Sequence, residues 1–220
     1  MIPSSLIDPV ALALVLGGTC AATLLRCGWR ESREALAVIT RLFRPRFDPA
    51  SARGALAGFV QRIDTDGLMR AEPRATGDRE IDEVVADLAH ARSPDVLAMS
   101  FEAHRQQRLA ASQRAGWVLS QAAELAPVLG LAGTLVALGQ LSGLAAEGSE
   151  FAGAIGNAVT TTLYGLVIAN FLFGPLAGAV ARQSAAEDAA RRDVMDWLAL
   201  HAAAARPHLD PTSTQRKHAA

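Results

Sequence analysis

The chain has 220 residues, half of them hydrophobic, with a mean hydropathy of +0.20 and a formal net charge of −1. That balance excludes a uniformly soluble domain, and no basic patch interleaved with aromatics argues for nucleic acid as a partner. The five histidines and two cysteines show no metal-ligand spacing, and no nucleophile elbow or phosphate loop occurs, so neither an enzyme nor a bound cofactor is expected.

The first predicted span is Pro9–Leu25, PVALALVLGGTCAATLL, whose seventeen apolar or small residues reach the lower limit for crossing a bilayer. A cleaved secretory signal is the rival reading, but the preceding segment has no positive charge and carries Asp8. Arg26, Arg30, Arg33, Arg41, Arg44 and Arg46 follow the span, which places its C-terminal end in the cytoplasm and the N-terminus outside. Cys20 and Cys27 lie on this helix about 10 Å apart along its axis, too far for a disulfide, and read as packing residues.

Residues 1–26 are thus assigned to a first transmembrane helix and 27–116 to a cytoplasmic helical domain. Within that domain Leu36, Ile39 and Phe43 recur at helical steps, as do Ile81, Val84, Val85 and Leu88. Pro45, Pro49, Pro73 and Pro94 punctuate it. A further helix is expected after Pro94, with Ser93 as its cap and Asp95 in its first turn. No breaker separates it from the second span, so the two are expected to be continuous.

Residues 117–181 hold the other two spans, about Trp117–Ala146 and Phe151–Ala181, with no Asp, Glu, Lys or Arg in 126–146 or 151–181 and with Glu124 at the end of the second span. Arginines precede the second span and follow the third, while the loop between them has none. All three spans therefore agree on a periplasmic N-terminus and a cytoplasmic C-terminus. An amphipathic cytoplasmic helix is expected over 182–206, and 207–220 reads as a disordered tail. The fold class is an all-α membrane protein with three transmembrane helices and a helical domain between the first and second.

The residues that could carry function lie in the last two spans. Pro127 and Pro175 each remove a backbone hydrogen bond near a cytoplasmic helix end, making either a hinge or a static bend. Thr134, Thr160, Thr161 and Thr162, with Asn157 and Tyr164, are the polar content there. Their hydroxyls can order water or replace part of a cation's hydration shell. A membrane threonine can equally bond its own helix backbone and do nothing else, yet three in a row cannot all face one interface. Gly130, Gly133 and Gly165, with Gly153, Gly156, Gly174 and Gly178, supply small residues at helical steps and predict close helix packing and oligomerisation. Ion transfer normally needs an ionisable group near mid-membrane, so a conducting chain of this kind would take its carboxylate from a second subunit.

The segments ELAPVLGLAGTLVALGQL and GNAVTTTLYGLVIANFLFGPLA resemble the last two membrane helices of the MotA/TolQ/ExbB proton-channel family, and DPVALALVLGGT resembles an earlier one. The likeness is greatest to the flagellar stator A subunits, both the MotA and the sodium-driven PomA kind. The resemblance implies a homopentamer in the bacterial inner membrane, in lipid, around two single-span subunits of the MotB/TolR/ExbD kind that supply an aspartate. It implies that 117–181 is the channel core and that the transported species is H⁺ or Na⁺. Pro127 and Pro175 match the family's two prolines. Thr134 and Thr162 match the threonines facing the partner aspartate, and Thr161 matches a second threonine of sodium-type stators. Tyr164 and the three glycines 130, 133 and 165 are expected in helix packing.

Two departures stand out. Flagellar A subunits usually have four spans, and three with an outer N-terminus resemble TolQ and ExbB. In QRIDTDGLMRAEP, Gly67, Leu68 and Glu72 resemble a stator motif that presents charges to a flagellar rotor, with Asp64, Arg70 and Glu72 as the expected cytoplasmic contacts, but Asp64 stands where that motif usually has arginine. A stator-like role therefore leads, followed by a TolQ/ExbB-like envelope role and by a non-conducting oligomeric scaffold.

Overall fold

The computed structural model describes residues 8–66, 75–91, 93–141 and 148–204. Those residues are almost all helical, with no strand among them: α1 (Pro9–Cys27), α2 (Trp29–Arg41), α3 (Pro49–Asp66), α4 (Arg79–Ala91), α5 (Pro94–Leu141), α6 (Gly148–Val167) and α7 (Gly174–Ala204). A π-helical segment, Ile168–Phe173, joins α6 to α7. Among the described residues, three helices are long and apolar enough to cross a membrane: Pro9–Cys27, Asp95–Gly139 and Ala152–Ala204. The chain divides into two compact units, one of residues 1–45 and 108–185, the other of 46–107 and 186–220.

In the first unit, α1 starts where Asp8 caps it, its carboxylate accepting from the Val10 and Ala11 N–H groups at 2.9 and 3.1 Å. These are orphan donors of a helix start, and Pro9 is preorganised for the first turn. The helix ends at Gly28, whose φ of +93° only glycine adopts without strain. There α2 begins at once. Its inner stripe of Ala35, Val38, Ile39 and Leu42 packs against Ala115, Val118 and Leu119 of α5 and Val180 of α7. The helix expected from the spacing of Leu36, Ile39 and Phe43 is there, and of these three only Ile39 turns inward. Leu36 and Phe43 are 60% and 84% exposed. The helix thus carries a second, outer apolar stripe with Trp29 and Leu36. Cys27 packs beside Ala35, whereas Cys20 is exposed; both are free thiols.

The second unit is built on Leu56, Phe59, Val60 and Ile63 of α3, Ile81, Val84, Val85 and Leu88 of α4, Leu97 of α5 and Val194 and Leu198 of α7. The α4 stripe is the one its periodicity predicts. The helix α3 is an addition to the sequence reading, which placed no element there. Asp78 starts α4 by accepting from the Glu80 and Ile81 N–H groups at 3.1 and 3.2 Å. The same carboxylate takes both terminal nitrogens of Arg191 at 2.8 and 2.9 Å. Arg191 also donates to Glu187 at 3.0 Å and lies 4.5 Å from the Phe47 ring. Its burial opposes ionisation, but bonding to Asp78 and Glu187 outweighs that and holds its pKa above the usual arginine value.

As anticipated, α5 runs unbroken through Pro127 into the second span. The Ser93 carbonyl accepts from Val96 N–H at 3.1 Å, and the Ser93 hydroxyl lies 3.4 Å from Asp95 rather than capping the backbone.

Candidate functional site

The site forms where α5 and α6 pass each other. Gly165 makes that passage close, since a Cβ there would stand 2.6 Å from the Ala126 carbonyl oxygen and 3.2 Å from the Cα atoms of Pro127 and Gly130. A Cβ on Gly130 would likewise meet the Thr161 carbonyl at 3.0 Å. Backbone thus rests on backbone, a packing that small residues allow and larger ones prevent. Gly133 faces the Thr161 side-chain methyl. Beyond this contact the helices leave an open groove of about 670 Å³, lined by Thr134 and Leu138 of α5 and by Ile155, Ala158, Val159, Thr162, Leu163 and Leu166 of α6. None of the lining residues is ionisable. The only side-chain hydroxyls in it are those of Thr134 and Thr162.

The three consecutive threonines divide by direction. Thr160 and Thr161 are buried and donate to the carbonyls of Gly156 and Asn157, four residues back, at 2.9 and 2.7 Å. Thr162 is half-buried and lines the groove, and no described residue takes its hydroxyl. Thr134 donates to the Leu131 carbonyl at 2.6 Å, leaving its oxygen lone pairs available. The structure therefore brings Thr134 and Thr162 together and places Thr161 in the helix contact instead.

The two prolines sit differently. Pro127 lies inside α5 with its Cα against Gly165. Pro175 is the exposed second residue of α7, directly after the π segment. In that segment Gly174 N–H reaches the Ala169 carbonyl five residues back, so the register change accommodates the donor that Pro175 lacks. Tyr164 lies among Val15, Ala126, Ile168 and Ala169, and its hydroxyl accepts from the Asp8 N–H at 2.9 Å. That link between α1 and α6 was not read from the sequence, where nothing pairs positions 156 residues apart. Nor were Thr19 and Thr23, buried on α1 and bonded to the carbonyls of Val15 and Thr19; their four-residue spacing is the signal that could have found them. In the other unit, Asp64 is exposed and 3.3 Å from His201 Nδ1. Arg70 and Glu72, with Gly67 and Leu68, lie outside the described residues.

A family model described as the MotA/TolQ/ExbB proton channel family matches residues 74–193. The chain belongs to that family. It is a channel subunit of the MotA-like kind, set in a membrane by multiple spans. A curated relative, Motility protein A of Cereibacter sphaeroides, is 23% identical over 193 residues, covering 87% of this chain and 76% of its own length. Among solved structures, the flagellar MotAB stator complex from Bacillus subtilis matches with a TM-score of 0.79 and 18% identity over 99% of this chain and 90% of that one. The MotAB structure of C. jejuni gives 0.77 and 18% over 95% and 88%.

Proposed function

We propose that this MotA-like subunit works as the A-type component of a flagellar stator, an inner-membrane motor in which H⁺ or Na⁺ flow drives rotation. Five copies surround two single-span MotB-like partners, and each partner contributes a carboxylate. The observation that carries this is the groove itself, apolar but for two hydroxyls that face it together, in a chain with no ionisable group on that surface. An apolar wall suits a partner helix, and the Thr134 and Thr162 oxygens suit an ion being handed to that helix's carboxylate. Neutralising the carboxylate lets it move along the apolar wall, and the ring of A subunits steps past it. The N-terminus is periplasmic and the C-terminus cytoplasmic in this reading, by the arginines that flank the spans. Relatives and solved neighbours that are motility proteins support the stator role over an envelope role.

The test is a set of threonine-to-valine substitutions, which remove a hydroxyl at nearly constant shape. Thr162→Val should lower ion-driven rotation about ten- to a hundredfold, as expected for a lost hydrogen bond to a charged group at about 1.5–3 kcal/mol. Thr161→Val should cost far less, because that hydroxyl only serves its own helix. Full swimming in both variants would sink the channel role of the groove and leave a scaffold.

A further inference from the structure

The outer face of α2 carries large apolar side chains that the described residues of its unit leave exposed. Trp29 is 73% exposed, Leu36 60% and Phe43 84%. Trp29 and Leu36 are seven residues apart on one side of α2. Phe43 continues that spacing in the closing turn, its N–H bonded to the Thr40 carbonyl. Exposed Arg33 lies between the first two, and Arg26, Arg30, Arg41, Arg44 and Arg46 are exposed around them. Against these six arginines the segment 26–46 carries only Glu31 and Glu34, and Glu34 is already engaged by Arg114 at 3.1 Å and by Arg30 at 3.5 Å. The face is therefore apolar at its centre and cationic around it.

Its height is fixed from two sides. One residue, Gly28, separates α2 from the membrane helix α1. The inner stripe packs on Ala115, Val118 and Leu119, where α5 passes from Arg105, Arg108 and Arg114 into its apolar stretch, and on Val180, just before Arg182 of α7. The contacts with Ala115 and Val180 thus sit where a spanning helix meets its charged flank. Half-exposed Trp117 of α5 belongs to the same level.

We propose that α2 is an anionic-phospholipid site: Trp29, Leu36 and Phe43 enter the headgroup–acyl boundary, and Arg33 and Arg44, with Arg30, bind phosphate headgroups. Tryptophan at the interface, an amphipathic helix in its plane and arginine against an anionic leaflet are each favourable there. A second copy of the chain is the other candidate occupant; in a ring it would bring a different face, which would have to be anionic to match these arginines.

The test uses the full chain reconstituted in vesicles of phosphatidylcholine and phosphatidylglycerol. A bimane label is placed on Phe43→Cys in a Cys20→Ser, Cys27→Ala background, and on Leu36→Cys as an independent position. Both sites are exposed, so the label displaces no core residue. Brominated-tail lipids of either headgroup should quench both labels, with the phosphatidylglycerol form preferred. Arg33→Gln and Arg44→Gln should each lower that preference about fivefold at low salt, corresponding to about 1 kcal/mol per arginine. Equal quenching by the two headgroups, unchanged in the arginine variants, would overturn the proposal. So would protection from both lipids, which would show protein on this face.

Discussion

Gly165 illustrates how one missing methyl group shapes this molecule. Three backbone atoms of α5 lie within 3.2 Å of where its Cβ would be, and none belongs to a side chain that could swing away. Gly165→Ala should therefore force α5 and α6 apart, at about 1–3 kcal/mol as for overpacking elsewhere. Gly156 on the same helix is the internal control, since a Cβ there meets nothing within 4 Å in this chain. A denaturant titration in detergent should separate the two, with Gly165→Ala destabilised and Gly156→Ala unchanged. Equal behaviour would mean the close approach is not maintained in the membrane. At this scale the sequence was informative about residue type and silent about direction. Gly130, Gly133 and Gly165 stand out by their spacing, but three adjacent threonines have no visible facing until α6 is set against α5. Only then does Thr162 part from Thr160 and Thr161.

Among the elements, the ion cluster at the start of α4 does the most for its unit. Asp78 caps α4 and chelates Arg191 of α7, whose side chain is only 9% exposed. Arg191→Ala removes a buried guanidinium shared by Asp78, Glu80 and Glu187, and should cost the second unit about 3–5 kcal/mol. Arg191→Lys should lose less, retaining the charge without the two-pronged fit to Asp78. Protease sensitivity of residues 46–107 is the measurement, and an undisturbed cleavage pattern in Arg191→Ala would show that the cluster is dispensable. The elements also mark where sequence reading works. A single stripe such as Ile81, Val84, Val85 and Leu88 is legible because one face is buried and the other charged. The same logic passed over α3, although Ala52, Leu56, Phe59, Val60 and Ile63 follow a helical period, because glycine and alanine dilute the stripe. On α2 the period found the helix but not its buried side, because that helix meets protein on one face and leaves another apolar stripe exposed.

At the scale of the whole molecule, the membrane unit is incomplete by itself. Its groove has two hydroxyls and no charge, so it can receive an ion but offers none of the carboxylate chemistry that would carry one. Val128, Leu131, Leu135 and Val136 of α5 and Val159 and Leu163 of α6 are all exposed in the single chain. Lipid can cover part of that surface, but a hydroxyl-bearing groove is a poor lipid seat when a helix with a carboxylate would satisfy it. The native mass of the detergent-solubilised chain, alone and co-expressed with a single-span, aspartate-bearing protein, measures what does cover it. Five copies should assemble and retain two copies of the partner. Substituting the partner's aspartate with asparagine should preserve that mass while abolishing rotation, because the apolar wall seats the helix and the charge only moves the ion. A monomer or dimer that ignores the partner even in mild detergents would remove the motor and leave the α5–α6 glycine contact as packing within one chain.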